Sequence, residues 1–116
     1  MAAYQNVTPV QIAQAALTTS YATLYTVPTN ITTPTRTYLK QIDVCNTTGT
    51  AITFNLHIVL ATFSAGTQNA LFYAQNIPAN TTFSYAGVQV LPTSSFLSAK
   101  ASATGLTITI SGGEAV

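Results

Sequence analysis

The stretch "AITFNLHIVL", residues 51–60, alternates between two kinds of side chain without a break. One side carries the large apolar residues Ile52, Phe54, Leu56, Ile58 and Leu60. The other side carries Thr53, Asn55, His57 and Val59. A period of two residues is typical of a β-strand with one buried face. The second face has no charged residue, although solvated strand faces usually carry them. We therefore expect these four residues to face another subunit or a layer of ordered water, and we take them as candidate assembly contacts.

The same lack of charge extends over the whole chain. Only 4% of the 116 residues are Asp, Glu, Lys or Arg, against a usual share of about a quarter. The three cations, Arg36, Lys40 and Lys100, are scattered and form no basic stripe, so nucleic acid is not an expected partner. No run of about 18 apolar residues is present, and we expect no membrane span. The N-terminus lacks the features of a secretion signal, which indicates synthesis in a cytosol.

Turn-forming clusters recur at short intervals and separate short β-prone segments. This pattern is typical of an all-β sandwich or barrel. We predict strands at 21–27, 36–46, 51–62, 69–76, 80–90, 95–103 and 105–111, with "SGG" (111–113) as a turn. The predicted fold is all-β, with about seven or eight strands. Residues 21–116 form its single domain.

Residues 1–20 allow two interpretations. Thr8, Pro9 and Gln11 match a helix start, with a capping threonine and a proline at the first helical position. The segment is shorter than the roughly 12 residues that make an isolated helix stable. We expect an extended arm or an added edge strand, with a short helix as the alternative. We also expect this arm to reach a neighbouring subunit or a particle.

Residues able to carry out chemistry are scarce. Catalysis needs a proton donor or acceptor, or a nucleophile with a positioned base. Asp43, Cys45 and His57 are the one conceivable set, because all three would lie on the outward side of adjacent strands. No glycine-rich elbow precedes Cys45, so we expect no catalytic site. Too few ligands are present for a metal site, no cofactor fingerprint occurs, and Cys45 is expected to be a reduced thiol in or near the core.

The aromatic residues and the sequons are open to two interpretations each. Five tyrosines are candidates for a sugar-binding surface or for contacts at the core rim: Tyr21, Tyr25, Tyr38, Tyr73 and Tyr85. Five phenylalanines are expected in the core: Phe54, Phe63, Phe72, Phe83 and Phe96. Four sequons begin at Asn6, Asn30, Asn46 and Asn80. We expect them to carry no glycans, because the chain has no secretion signal.

Several segments resemble a known group of proteins when they are taken in order. They are "TLYTVP" (23–28), "LKQIDVCNTTGTAITFNLHIV" (39–59), "NALFYAQNIPANTTFSY" (69–85) and the closing "TITISGGEA". Together they resemble small virion proteins of tailed bacteriophages, described as minor structural, decoration or fibre-associated proteins. Similar proteins often have an acidic "GD" turn where this chain has "LPTSSF" (91–96). This departure leaves open whether the attachment is to the head or the tail.

The resemblance implies an antiparallel, jelly-roll-like β-sandwich that is a structural subunit of a virion and has no catalytic residue. Its implied partners are further copies of itself, as a homotrimer, and other virion proteins such as the major capsid or tail proteins. The implied location is the virion, after synthesis in the bacterial host cytoplasm. The alternative function is a carbohydrate-binding or host-adhesion module of the virion, with a host glycan as partner.

Overall fold

The structure is a computed structural model that describes residues 7–28, 36–60 and 63–115, without the side chain of Val7. These residues form eight β-strands and a 3-10 helix at Thr67–Asn69. The strands are β1 (Val7–Ala16), β2 (Ala22–Thr26), β3 (Arg36–Asn46), β4 (Ile52–Val59), β5 (Ala70–Ile77), β6 (Thr82–Leu91), β7 (Phe96–Ala101) and β8 (Leu106–Ala115). Within these ranges no helix has the length and apolar character needed to cross a membrane.

The strands form two four-stranded antiparallel sheets. The strand order is β1-β8-β3-β6 in the first sheet and β2-β7-β4-β5 in the second. Apart from β4 and β5, which are neighbours in the second sheet, each strand is followed along the chain by a strand of the other sheet. This is the topology of a double-sheet jelly roll. The predicted fold class is confirmed.

The core lies between the sheets and follows the two-residue period of the strands. On β3 the buried residues include Ile42 and Val44, and β8 buries Leu106, Ile108 and Ile110. From the second sheet, the ring of Phe54 lies 5.8 Å from that of Phe72 and 5.9 Å from that of Phe83. The expected core position of Phe63 is wrong, because 61% of that residue is exposed. Phe63 follows β4 in a loop, where the strand period no longer applies.

Residues 7–16 form an edge strand in place of the alternative short helix. β1 pairs with β8 along its length, and Pro9 is tolerated there because an edge strand has one unpaired side. The pairing shifts register between Gln11 and Ala13. This irregularity lets two consecutive residues, Ile12 and Ala13, both face the core. Together with Leu17 they make the segment an integral part of the sandwich.

The "SGG" segment does not form the predicted turn. Residues 111–113 lie inside β8, which continues to Ala115. A Cβ atom on Gly112 would lie 1.8 Å from the carbonyl oxygen of Tyr38 on β3. Gly112 is therefore needed because two backbones approach closely here, and not because the chain turns.

The buried Asn46 fixes the turn between β3 and β4. Its side-chain nitrogen donates to the carbonyl oxygens of Thr50 and Ile77 at 2.8 and 3.0 Å. Its side-chain oxygen accepts from the backbone N–H of Thr48 at 2.9 Å. Because the amide of this sequon is 1% exposed and fully bonded, it is inaccessible to a glycosyltransferase. Asn80 lies exposed in a turn, and Asn6 and Asn30 lie outside the described residues.

Candidate functional site

The three residues considered for catalysis do not meet. β3 carries Asp43 and Cys45 and belongs to the first sheet, whereas β4 carries His57 and belongs to the second. Asp43 and Cys45 alternate with core residues, so they lie on the outer side of the first sheet. The expectation that all three lie on adjacent strands is therefore wrong. The core of the sandwich separates the half-buried, free thiol of Cys45 from the imidazole.

His57 is enclosed by the chain itself, and its predicted exposure is wrong. The residue is 0% exposed although it alternates with the core residues of β4. The ring of Tyr21, just before β2, packs edge-on against the imidazole at 5.1 Å. Asn69, the last residue of the 3-10 helix, lies on the opposite side of the ring, with Oδ1 2.8 Å from Nδ1. These two residues cover the outer face of the second sheet at this point.

The hydrogen bonds of Asn69 determine which ring nitrogen of His57 carries a hydrogen. Asn69 Oδ1 accepts from the backbone N–H of Gly66, and Asn69 Nδ2 donates to the carbonyl oxygen of Ser64. The orientation of the amide is thereby fixed, so His57 Nδ1 must carry the hydrogen and donate to Asn69. In the tautomer with its hydrogen on Nδ1, Nε2 accepts from the Tyr21 hydroxyl, at 3.0 Å. Asn55 Nδ2 donates to the same hydroxyl oxygen at 3.1 Å.

The four candidate assembly contacts consequently divide into two pairs. His57 and Val59 are both 0% exposed, and neither can contact another subunit while the chain covers them. Thr53 and Asn55, nearer the start of β4, remain partly exposed. The uncharged face of β4 is thus covered in part by residues from outside the strand.

A groove opens next to Thr53 and Asn55 on the outer face of the second sheet. Its volume is about 400 Å³. We call it the Tyr73 groove. Its walls come from β4, β5 and β7 and from the segments beside them, through Thr19, Thr53, Phe54, Asn55, Tyr73, Ala74, Lys100, Ala101 and Ser102.

One wall of the Tyr73 groove is an irregular part of β5. Ala74 has a left-handed backbone, with φ of 52°, which is unusual for a residue with a Cβ atom. The pairing with β4 skips a residue here, since Phe54 pairs with Gln75 and Leu56 with Phe72. Asn55 Oδ1 accepts the backbone N–H of Ala74 at 2.7 Å and holds the irregularity in place. The neighbouring Tyr73 is left 59% exposed.

Lys100 supplies the charge at the Tyr73 groove. Its Nζ lies 4.8 Å from the centre of the Tyr21 ring, within cation–π distance. The two acidic residues of the chain, Asp43 and Glu114, both belong to strands of the first sheet. The groove therefore presents one positive charge with no carboxylate on the same sheet.

A second polar cluster links the two sheets. The Tyr25 hydroxyl on β2 donates to Glu114 Oε2 on β8 and lies 2.8 Å from Thr37 Oγ1 on β3. Because the phenol hydrogen is used by Glu114, Thr37 is the donor of the other bond. Burial, followed by the bond to Glu114, raises the pKa of Tyr25 from 10.0 to about 12. The hydrogen-bonding groups of this cluster bond to one another across the two sheets, so the cluster has a structural role.

The edge of the first sheet formed by β6 has no charged residue and exposes two valines. Ten residues long, β6 contains neither a charged residue nor a proline. Val88 and Val90 are 55% and 48% exposed on it. β1 contains Pro9 and β5 is irregular, whereas β6 has neither proline nor charge, although its pairing with β3 shifts register between Ala86 and Gln89. A long uncharged edge is a ready template for pairing with another chain.

Metal-ligand clusters are absent from the part of the chain that the structure describes, where no three His, Cys, Asp or Glu side chains come together.

Comparison with known proteins gives a likeness in fold. No protein-family model and no curated protein matches the chain. A chain from the structure of infectious bursal disease virus, Gx strain, superposes with a TM-score of 0.56 at 13% sequence identity. The match covers 96% of this chain and 32% of the viral chain, so this chain spans about a third of its length. At this identity the match supports the sandwich architecture alone.

Sequence reasoning missed the residues that shape the outer face of the second sheet. Tyr21 and Tyr73 were among the tyrosines considered for a sugar surface, but nothing in the sequence indicated that Asn69 would cover His57. The left-handed Ala74 was also unforeseen, because alanine has no preference for that conformation. The position of Lys100 on the sheet that has no acidic residue follows from the topology and could be found only with it.

Proposed function

We propose that the chain is a structural subunit of a virion, which assembles through its uncharged β-surfaces and needs no cofactor. The observation that carries this proposal is the β6 edge, where Val88 and Val90 are exposed on a strand without charge or proline. A free monomer with such an edge would be prone to association. A subunit of an assembly buries it against a neighbour.

The fold agrees with this role. Double-sheet jelly rolls are common in viral capsid proteins and in lectins. The chain with a similar fold from infectious bursal disease virus also belongs to a virus. Fold alone does not determine function, so the charge-free edge carries the argument and the fold supports it. The wide separation of Cys45 from His57 gives no support for an enzyme.

The finer form of the proposal is a capsid decoration or a head or tail fibre-associated protein of a tailed bacteriophage. It rests on the resemblance of the segments between residues 23 and 115. In this form the chain is made in the bacterial host cytoplasm, forms a homotrimer and attaches to the major capsid or tail proteins. Neither nucleic acid nor membrane is a proposed partner. Each copy would bury its β6 edge against the next copy around the symmetry axis.

The experiment compares two lysine substitutions by sedimentation. Val88→Lys places a charge on the β6 edge, whereas the control Thr107→Lys places the same charge on the outer face of β8, an interior strand of the first sheet. We expect the unchanged protein and Thr107→Lys to sediment as trimers and Val88→Lys to sediment as a monomer. A Val88→Lys protein that still forms the trimer would contradict the role of the edge. A monomeric unchanged protein would contradict the assembly proposal.

A second candidate function, a carbohydrate-binding module of the virion, is favoured by the Tyr73 groove. Lectins also use the jelly-roll fold, and the groove combines an exposed aromatic ring with several hydroxyl and amide groups.

A further inference from the structure

We propose that the Tyr73 groove binds an acidic saccharide, with the ring of Tyr73 against one face of a sugar and Lys100 facing the sugar carboxylate. This inference goes beyond the structural role, because the groove belongs to a single chain and would bind whether or not the chain assembles. It also names a ligand class for the second candidate function.

The size and polarity of the groove suit a sugar. A volume of about 400 Å³ lies in the usual range for small-molecule sites, roughly 300 to 1,000 Å³. Hydroxyl groups of Thr19, Thr53 and Ser102 line it. Ser102 Oγ accepts the backbone N–H of Thr53 at 3.1 Å, which leaves its own hydroxyl hydrogen for a ligand. Such groups match the alternating donors and acceptors of sugar hydroxyls.

The position of Tyr73 supports an aromatic platform. A tyrosine that packs for stability is mostly buried, whereas Tyr73 is 59% exposed at the groove wall. It is held there by the irregular β5 backbone at Ala74, which Asn55 stabilises through its side-chain oxygen. Irregular strands frequently re-aim a side chain beside a functional site, and strained backbone is concentrated at such sites. The flat apolar ring can pack against the C–H face of a pyranose.

The charge of the groove selects an acidic sugar over a neutral one. Lys100 is held by the Tyr21 ring, and Tyr21 is itself bonded to Asn55 and His57. The cation is therefore positioned before a ligand arrives. Both acidic residues of the chain belong to the other sheet. Glu114 is bonded to Tyr25, and the core lies between Asp43 and Lys100, so neither acidic side chain pairs with Lys100. One lysine matches one carboxylate of a uronic-acid residue.

The test is an NMR titration with a matched pair of probes, a short oligogalacturonate and the same oligosaccharide fully methyl-esterified. The ester keeps the sugar ring and removes the charge. We expect the acid to bind at the Tyr73 groove about fivefold more tightly than the ester, the size of one partly exposed ion pair. Shifts of the amide signals of Tyr73, Ala74 and Lys100 would locate the site.

Three variants separate the contributions. Lys100→Gln should weaken binding of the acid about fivefold and leave binding of the ester unchanged. Tyr73→Ala should weaken both about tenfold, whereas Tyr73→Phe, which keeps the ring, should change neither by more than about twofold. The control is Lys40→Gln, which removes an exposed cation from the first sheet. It should leave both affinities unchanged.

Each other outcome overturns the proposal. Equal affinity for acid and ester would refute the role of Lys100, and a short poly-glutamate that binds as tightly as the oligogalacturonate would refute a saccharide. Signal shifts confined to the first sheet would place the site elsewhere. No binding of either sugar would refute the site, and it would leave the assembly proposal intact because that proposal is tested by sedimentation.

Discussion

Replacement of His57 by alanine tests whether the chain itself covers the outer face of β4. The imidazole is 0% exposed and forms two side-chain hydrogen bonds, with Tyr21 and Asn69. Each such bond contributes about 1 kcal/mol to the free energy of unfolding, and the edge-on contact with the Tyr21 ring adds about 1 kcal/mol. We therefore expect His57→Ala to lower the free energy of unfolding by about 3 kcal/mol.

The structure also explains why the loss should be no larger. Asn69 Oδ1 keeps its bond from the backbone N–H of Gly66, and Tyr21, which is 40% exposed, can turn its hydroxyl to water. Neither partner is left buried and unsatisfied. His57→Gln can still donate to Asn69 and accept from Tyr21, so it should lose chiefly the ring contact, about 1 kcal/mol.

The assay is urea unfolding followed by circular dichroism, at one protein concentration because assembly would shift the midpoint. With a slope of about 1 to 3 kcal/mol per molar urea, His57→Ala should lower the midpoint by about 1 to 3 M. Thr107→Ala, at an exposed position on β8, is the control and should change stability by less than about 0.5 kcal/mol. A His57→Ala protein as stable as this control would refute the enclosure of His57. The outer face of β4 would then be available for contact with a neighbouring subunit.

Three further predictions concern pH, the thiol and salt. The phenol of Tyr25 should titrate near its raised pKa of about 12, as followed by phenolate absorbance. Because the unfolded chain loses this proton at lower pH than the folded chain, the stabilisation should be complete below about pH 10 and decline as pH rises towards 12, a decline that Tyr25→Phe should remove. Cys45 lies half-buried on the outer side of the first sheet and not in the core as expected; it should be a reduced thiol that reacts more slowly with a thiol reagent in the native protein than in urea, and a disulfide between subunits would contradict this. Washing particles with about 1 M sodium chloride should leave the protein bound, while moderate guanidinium should release it; release by salt alone would show a charged attachment surface.

The two-residue period was enough to predict the central strands of the fold. On β3 and β8 the residues that alternate inward, such as Ile42 and Ile108, are buried as their spacing indicates. In a strand flanked on both sides by others, the pleat alone decides which side chain faces the core. The same reasoning predicts the face of Phe54 on β4.

Burial that depends on distant parts of the chain could not be predicted in the same way. His57 is covered by Tyr21, 36 residues earlier, and by Asn69, 12 residues later. The period of β4 gives the direction of the imidazole and contains no information on what lies above it. Similarly, Pro9 and Gln11 matched a local helix start, but pairing of the segment with β8 outweighed that preference. Tertiary contacts determined both outcomes.

Electron cryo-microscopy of purified particles would test the central claim, that this chain is a structural subunit of a virion, most directly. We predict ordered copies of the eight-stranded sandwich on the particle, related by threefold symmetry, with the β6 edge against a neighbouring chain. Particles from a host that makes the protein, with no density for the sandwich at any symmetry axis or attachment point, would contradict the claim.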